Sequence, residues 1–206
     1  MSVDDPVARF WGVTVGLVTN NRDPEGLGRV KLALPWLADG FETDWARVVT
    51  PMAGASRGLY ALPEVDDEVL VGFEHGRPDA PYVLGALWNG KDKPPESNGD
   101  GRNDRRSLTS RSGHVIRLTD TDGQERVEIL DRTGRNSVVL ETTTNTVTIS
   151  ADADVVVRAA KGKLTLTGQS GVEISSAAGP VRVSGLDVDV GAKQQLVLKG
   201  ARVDIN

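Results

Sequence analysis

Two histidines are the residues of this sequence whose side chains most often do acid–base or metal chemistry. They are His75 and His114, and the chain has no cysteine. A metal site or a catalytic imidazole needs partners at a defined spacing, and the sequence has neither an HxH nor an HExxH pattern. We therefore interpret both histidines as structural or solvent-exposed, and we expect no metal site.

A run of carboxylates is the second group that could do chemistry. Its members lie in the segment PEVDDE and are Glu64, Asp66, Asp67 and Glu68. Two carboxylates can serve as the acid and the base of glycoside hydrolysis. These acids come directly before an apolar run, however, where such residues ordinarily form a solvated turn. We predict no catalytic residue and no bound cofactor, and we do not expect an enzyme.

Two tryptophans raise the question of nucleic-acid binding. Trp36 and Trp45 flank the loop of residues 37–44, and aromatic side chains on small β-barrels can stack on bases or sugars. Residues 1–90 hold seven basic and thirteen acidic groups, which favours core or interface roles and no nucleic-acid partner. A later basic group is interspersed with aspartates and is interpreted as part of a connector: Arg102, Arg105, Arg106 and Arg111.

The composition divides the 206 residues into three parts. All nine aromatic residues lie between Phe10 and Trp88, and nine of the ten prolines lie at or before Pro95. This pattern predicts an aromatic-cored globular domain in residues 1–90, a linker in residues 91–112 and an aliphatic repeat in residues 113–206. Helix signals are nearly absent, so the chain is predicted to be all-β. The N-terminal segment MSVDDPVARFWGV does not have the basic and apolar regions of a signal peptide.

The first part is predicted to be a small closed barrel. Short apolar runs alternate with turn residues, and glycine or proline stands where they join. The predicted strands are residues 12–20, 29–34, 45–50, 59–62, 68–73 and 82–87.

The last part contains a ladder of apolar residues two positions apart. Eleven such pairs follow His114, which is the alternation of strands with one buried face. From Val147 onward the pairs recur every seven to nine residues, a period that signals a repeat architecture. The residues assigned to the core of this repeat are Val147, Ile149, Leu164, Leu166, Val172, Ile174, Val181, Val183, Leu196 and Leu198.

Two architectures fit this ladder. A single chain could wind into a β-helix of under four turns, with a thin core that contains no aromatic side chain. Alternatively, three chains could wind together, so that every strand pairs with the neighbouring chains and no open edge remains. We favour the intertwined trimeric β-helix.

Three motifs together resemble a known family. They are DPEGLGRVKLALPW, the stretch from WARVVTPMAGASRGLYALPEVDDEVLVGF to WNGKDKPP, and LTSRSGHVIRLTDTDG. In order and spacing they are similar to the spike family of contractile injection machines, which comprises the phage baseplate assembly protein V, the central spike of T-even phages and the C-terminal part of type VI VgrG proteins. The resemblance runs from about Gly12 to Gly134.

The resemblance implies a fold, a role and partners. The expected fold is an OB-fold barrel followed by a trimeric β-helical needle at the centre of a baseplate. The expected role is a non-enzymatic, homotrimeric central spike that connects a hub to a tip and punctures an envelope, with transient membrane contact. The particle would be assembled in the cytoplasm and act outside it, as a virion or injection baseplate.

Departures from larger members of the family imply separate partner proteins. Residues 91–112 leave no room for the lysozyme domain of T-even spikes, and the barrel begins by residue 12, so the hub is expected to be a separate protein. No histidine follows His114, so the chain is expected not to form a metal-bound apex. A PAAR-type tip protein is instead expected on a platform of Val203, Asp204, Ile205 and Asn206. The alternative function is an OB-type module that binds a glycan or another surface ligand and carries a short β-solenoid.

Overall fold

The computed structural model of the chain describes residues 9–37 and 40–204. Every regular element in these residues is a β-strand except for one 3-10 turn, Glu74–Gly76. Within the described ranges, no helix has the length and the apolar character required to cross a membrane. The chain separates into two compact units, Met1–Asp152 and Ala153–Asn206.

The first unit begins with a closed barrel. Its chain forms the strands β1 (Val13–Asn20), β2 (Arg29–Ala33), β3 (Ala46–Val48), β4 (Ala53–Gly54), β5 (Arg57–Gly58), β6 (Glu68–Phe73) and β7 (Pro81–Ala86). Strands β1, β2, β3, β7 and β6 close the barrel in that order, and β3 and β7 form its one parallel pair. Strands β4 and β5 pair only with each other and form a short ribbon.

Five of the six predicted barrel strands are confirmed. The sixth, residues 59–62, is wrong, because the ribbon of β4 and β5 takes its place. The Leu59 N–H donates to the Met52 carbonyl (3.0 Å), and the Thr50 hydroxyl donates to the Leu59 carbonyl (2.7 Å). Leu59 therefore closes the base of the ribbon and does not begin a strand.

The barrel core is aliphatic, so the expectation of an aromatic core is wrong. Its fully buried members are Val18, Val30, Leu32, Leu34, Ala46, Val69, Val71 and Val83. A Cβ added to Gly16 would lie 3.0 Å from Val71 and 3.3 Å from Leu34, so the interior is narrow. Phe10 packs outside it, with ring centroids 4.9 Å from Trp36 and 5.6 Å from Phe73. A narrow interior accepts valine and leucine and leaves the larger rings at its margin.

A five-stranded antiparallel sheet completes the first unit. Its strands are β8 (Arg105–Thr109), β9 (Val115–Thr119), β10 (Arg126–Leu130), β11 (Ser137–Glu141) and β12 (Thr146–Ser150), and each pairs with the next along the chain. The first four apolar pairs of the ladder are thus confirmed as strands β9 to β12.

Two features of this sheet differ from the sequence-based expectation. Strand β8 lies within the segment that was expected to be a linker, because Leu108 pairs directly with Ile116. Strands β9 to β12 pair within one chain, so the expectation that every strand pairs with other chains is wrong for them. Their spacing leaves room for hairpin turns, in which Gly123 (φ 72°) and Gly134 (φ 69°) adopt the left-handed conformation.

The second unit has a different character. Residues 153–204 contain no strand, and every one of them is exposed. The ladder continues through this unit in the sequence, but the chain does not fold back to pair with itself. The single-chain β-helix is therefore not the structure that this unit adopts.

One carboxylate organises the loop between β1 and β2. Asp23, whose side chain is 3% exposed, accepts hydrogen bonds from the N–H groups of Glu25, Leu27 and Arg29. It also forms a two-pronged ion pair with the Arg29 guanidinium, at 2.9 Å to Nε and 2.7 Å to Nη2. These bonds place the first residue of β2, so Asp23 sets where the second barrel strand begins.

We expect Asp23→Asn to destabilise the barrel, because an amide cannot accept both prongs of the Arg29 guanidinium and all three backbone donors. The melting temperature should fall by roughly 5–10 °C for a domain of this size. Tryptophan fluorescence follows this transition, since all four tryptophans lie between residues 11 and 88. The control is Asp79→Asn, which breaks the Arg77–Asp79 pair whose side chains are each 58% exposed. Equal effects of the two substitutions would contradict the role of Asp23.

The same site predicts an acid dependence. Hydrogen bonds from Arg29 and from backbone N–H groups hold the pKa of Asp23 well below its usual range, although burial acts in the opposite direction. A carboxyl whose pKa is depressed on folding stabilises the protein above its unfolded pKa of about 4, and this contribution is lost as the pH falls further. The stability difference between the wild-type chain and Asp23→Asn should therefore shrink below about pH 4.

Candidate assembly surfaces

One face of the five-stranded sheet carries nine aliphatic side chains. Cross-strand pairing places them in two adjacent rows. The first row is Leu108, Ile116, Ile129, Val138 and Ile149, and the second is Leu118, Val127, Leu140 and Val147. Eight of the nine are 38% to 65% exposed in the single chain. We call these nine residues the aliphatic face; contiguous exposed apolar surface of this kind marks an interaction site.

The opposite face of the same sheet is polar and is held by ion pairs. Arg117 on β9 lies opposite Glu128 on β10, and Arg126 Nε forms an ion pair with the Glu128 carboxylate at 3.1 Å. Glu96, which precedes the sheet, accepts from Arg117 Nε at 2.8 Å and lies 3.4 Å from Arg105 Nη1. Glu96 thus anchors residues 93–104, which we call the strap, to the polar face.

The environment of Glu96 keeps it charged. Partial burial raises the pKa of Glu96, but the hydrogen bonds and positive charges of Arg117 and Arg105 outweigh this effect and hold it below its usual range. Glu128 is 8% exposed and Thr119 is 5% exposed, so the centre of the polar face is nearly closed to water. In a single chain the sheet therefore shields the centre of its polar face, although the polar residues of β12 stay exposed, and it exposes its aliphatic face, the reverse of the usual arrangement.

The residues predicted for the core of the repeat are separated by the boundary between the two units. Val147 and Ile149 lie on β12, at the edge of the aliphatic face, and the other eight lie in the second unit. All ten are 52% to 75% exposed. No core forms among them within one chain, so their assignment to a core stays a prediction that needs other chains.

The predicted tip platform is described only in part. Val203 is 48% exposed, and Asp204 accepts a hydrogen bond from Arg202 Nε at 2.9 Å. Ile205 and Asn206 lie outside the described residues. The binding of a tip protein by these four residues stays a prediction.

The carboxylate run of PEVDDE forms a turn, as predicted. Asp67 accepts from the Glu64 N–H at 2.8 Å, and Asp66 adopts a left-handed conformation with φ 74°. Glu64 forms an ion pair with Arg111, which lies in the turn between β8 and β9. Glu64, Asp67 and Glu68 are thus engaged within the fold, and in the described part of the chain no group of three His, Asp or Glu side chains could hold a metal ion.

The predicted histidine and tryptophan positions lie outside the barrel core. His75 lies in the 3-10 turn with φ 50° and is exposed, and His114 is exposed before β9. Trp36 is 48% exposed, and Trp45 lies beneath the cationic groups of Arg29 and Lys31 at 5.8 and 5.6 Å. A core role for these tryptophans is therefore wrong.

The four arginines of the predicted linker are all paired with carboxylates. Arg102 pairs with Asp100, Arg105 with Glu96, Arg106 with Asp120 and Arg111 with Glu64. Their charges are used within the chain, which agrees with the interpretation that they do not form a nucleic-acid patch.

Sequence reasoning missed the anchor formed by Glu96. The pairing of Arg117 with Glu128 could have been predicted from the ladder, because these two residues stand between the apolar members of two successive pairs and have opposite charges. Strands that pair side by side bring such residues together on the face opposite the apolar one. Glu96 gave no signal, since it lies in a segment without periodicity.

Comparison with known proteins identifies the barrel. Residues 14–88 match the protein family described as type VI secretion system/phage-baseplate injector OB domain. This range coincides with the closed barrel of β1 to β7, so the predicted OB-type barrel is confirmed.

Curated relatives extend the likeness beyond the barrel. The chain is 33% identical over 143 residues to the type VI secretion system spike protein VgrG5 of Pseudomonas aeruginosa, which covers 61% of this chain and 18% of the relative. It is 39% identical over 72 residues to the spike protein VgrG2a of the same species, covering 33% of this chain and 9% of the relative.

A third relative carries a different description. It is the actin cross-linking toxin VgrG1 of Vibrio cholerae, 38% identical over 72 residues, which covers 33% of this chain and 7% of the relative. The chain spans less than a fifth of the length of each of these three proteins. The resemblance to the spike family of contractile injection machines is confirmed.

We expect Glu96→Gln to release the strap, because a neutral amide cannot hold two arginines at once. Limited trypsin digestion should cleave after Lys91 and Arg102 several-fold faster than in the wild-type chain, with the fragments identified by mass spectrometry. The control is Asp100→Asn, since the Asp100–Arg102 pair has side chains that are 61% and 67% exposed and joins residues only two positions apart. Unchanged cleavage in Glu96→Gln would show that the strap is fixed by other contacts.

Proposed function

We propose that this protein is the homotrimeric central spike of a contractile injection particle, because residues 14–88 match the family of type VI secretion system/phage-baseplate injector OB domains. Its barrel connects to a hub, its repeat forms the shaft, and sheath contraction drives the shaft through an envelope. The role is mechanical and involves no catalysis.

The observation that carries the proposal is the uncovered aliphatic face. Its nine side chains are already about half buried, so covering them completely contributes on the order of 10 kcal/mol per chain, at roughly 1 kcal/mol for each half-exposed Val, Leu or Ile. Three identical sheets that turn these faces toward a common axis bury all of them at once. A closed cyclic arrangement of identical chains is the usual outcome for a surface that recognises its own copies.

The repeat of the second unit supports the same arrangement. From residue 153 to residue 204 its backbone forms no strand, and its apolar pairs recur every seven to nine residues. In an intertwined trimeric β-helix, each segment gains hydrogen bonds from the neighbouring chains and turns its apolar pair toward the axis. Seven segments from Val155 to Val203, stacked about 4.8 Å apart, give a shaft roughly 34 Å long.

A shaft of this kind has the properties that puncturing requires. Every strand is paired on both sides, so no free edge remains at which the shaft can unravel or aggregate. Unwinding must separate three chains together, which raises the barrier to unfolding and makes the stability kinetic. The shaft therefore transmits force along its axis without bending.

The proposal includes two separate partners and a location. A hub protein engages the barrel, and a PAAR-type tip protein covers the last residues of the shaft. The particle is assembled in the cytoplasm, acts at the target envelope and touches its membrane only transiently.

The test of the trimer uses two adjacent residues on β12. Ile149 belongs to the aliphatic face, and Thr148 points to the opposite face; both are exposed in the single chain. We expect Ile149→Asp to prevent trimer formation, because three carboxylates would be buried at the axis, at several kcal/mol each. Thr148→Asp should leave the trimer intact. Light scattering coupled to size-exclusion chromatography measures the mass.

The same design applies to the second unit. Val183→Asp should lower resistance of the trimer to SDS, and Thr165→Asp, which lies between the members of an apolar pair, should not. A monomeric wild-type chain, or equal behaviour of the two members of either pair of variants, would overturn the proposed trimer.

The tip is tested by truncation. Deletion of residues 202–206, or Ile205→Lys, should abolish binding of a PAAR-type protein in a pull-down while light scattering still shows a trimer. The reason is that the exposed end of a strand accepts a partner through its backbone groups and its apolar side chains. A truncated trimer that still captures the tip protein would contradict this assignment.

A further inference from the structure

A groove on the barrel lies beside the ribbon of β4 and β5 and is separate from the aliphatic face. It encloses about 1020 Å³ and is lined mainly by apolar side chains. The larger ones are Leu27, Trp45, Met52, Leu59, Tyr60 and Leu62. Tyr60 is 82% exposed and Leu27 is 65% exposed, so the groove holds apolar surface that its own chain leaves uncovered.

The charge of the groove is opposite to that of its domain. Residues 1–90 carry thirteen acidic and seven basic groups, yet no carboxylate lines the groove and three arginines do. Arg29 is neutralised by Asp23 and Glu25. Arg47 and Arg57 form no ion pair with any residue that the structure describes. The groove is therefore apolar and carries two positive charges that no described carboxylate pairs with.

Each arginine packs against a neighbouring group of the barrel. The Arg47 guanidinium lies 5.6 Å from the centre of the Tyr82 ring, a distance at which a cation is attracted to the ring face. The Arg57 guanidinium folds over Gly54, where an added Cβ would come within 2.8 Å of it. Both side chains are exposed, so a ligand can reach the two charges.

We propose that this groove binds an extended segment of a separate protein in which aliphatic side chains alternate with carboxylates. The aliphatic side chains fill the surface around Leu59 and Tyr60, and the carboxylates pair with Arg47 and Arg57. A nucleic acid fits less well, because the lining is mostly aliphatic and the surrounding domain is acidic. None of the groove residues belongs to the aliphatic face, so the substitutions that test the groove differ from those that test the trimer.

The test measures peptide binding to the full-length chain by fluorescence anisotropy. The probes are fluorescein-labelled seven-residue peptides in which leucine alternates with glutamate, glutamine or lysine. The glutamate peptide should bind at least tenfold more tightly than the glutamine peptide, and the lysine peptide should bind most weakly. The affinity of the glutamate peptide should also fall as salt is added, because salt screens its attraction to the arginines. Equal binding of the three peptides, or no binding of the glutamate peptide, would overturn the proposal.

Substitutions locate the site. Arg57→Gln should weaken binding of the glutamate peptide several-fold, and the double variant Arg47→Gln/Arg57→Gln should weaken its binding more than tenfold. Arg132→Gln removes the same charge from the turn between β10 and β11 and should change nothing. If Arg132→Gln and Arg57→Gln have equal effects, the attraction is general and the site is not this groove.

Two further outcomes identify a different occupant. If a chain that lacks residues 1–8 binds the glutamate peptide much more tightly than the full chain, the protein's own N-terminal segment fills the groove. If the peptide lowers the oligomer mass in analytical ultracentrifugation, the occupant is a second copy. Either result overturns binding of a separate protein, and neither bears on whether Ile149→Asp breaks the trimer.

Discussion

The need for hydrogen-bond partners of the backbone governs this structure. Up to Ser150 the chain meets that need itself, first in the closed barrel and then in the sheet of β8 to β12. Between residues 153 and 204 the chain forms no strand of its own. Ordering a backbone costs about 1–2 kcal/mol per residue, so a long extended segment becomes ordered only when other chains supply hydrogen bonds and apolar contact. In the proposed trimer, the second unit therefore depends on assembly in a way that the barrel does not.

The sequence predicts the strands of this protein better than it predicts their partners. Alternation is a local property, and it located the pairs from Ile116/Leu118 to Val147/Ile149 as strands. Whether such a strand pairs within its chain depends on the turn that follows it, and here Gly123 and Gly134 allow hairpins. The core of the barrel was predicted wrongly because composition does not reveal the width of an interior. The strap was missed because Glu96 acts through Arg117, which is 21 residues away in the sequence.

The barrel and the repeat place different requirements on the amino-acid sequence. The barrel requires particular residues at particular places, such as Asp23 for the loop before β2 and Gly16 where the walls approach closely. The repeat requires only that apolar and polar residues alternate at a steady period. Many sequences satisfy the second condition and few satisfy the first.

The strap leaves the sheet only one face on which copies can pack. A sheet that packs through both faces stacks on its copies without limit, and fibrils grow in this way. Glu96 holds the strap over the polar face at β8 and β9. In the proposed trimer, each chain then offers one apolar surface to its copies, and no further chain is added once that surface is covered. Under this proposal, the ion pairs of Arg117 help to limit the assembly to a fixed copy number.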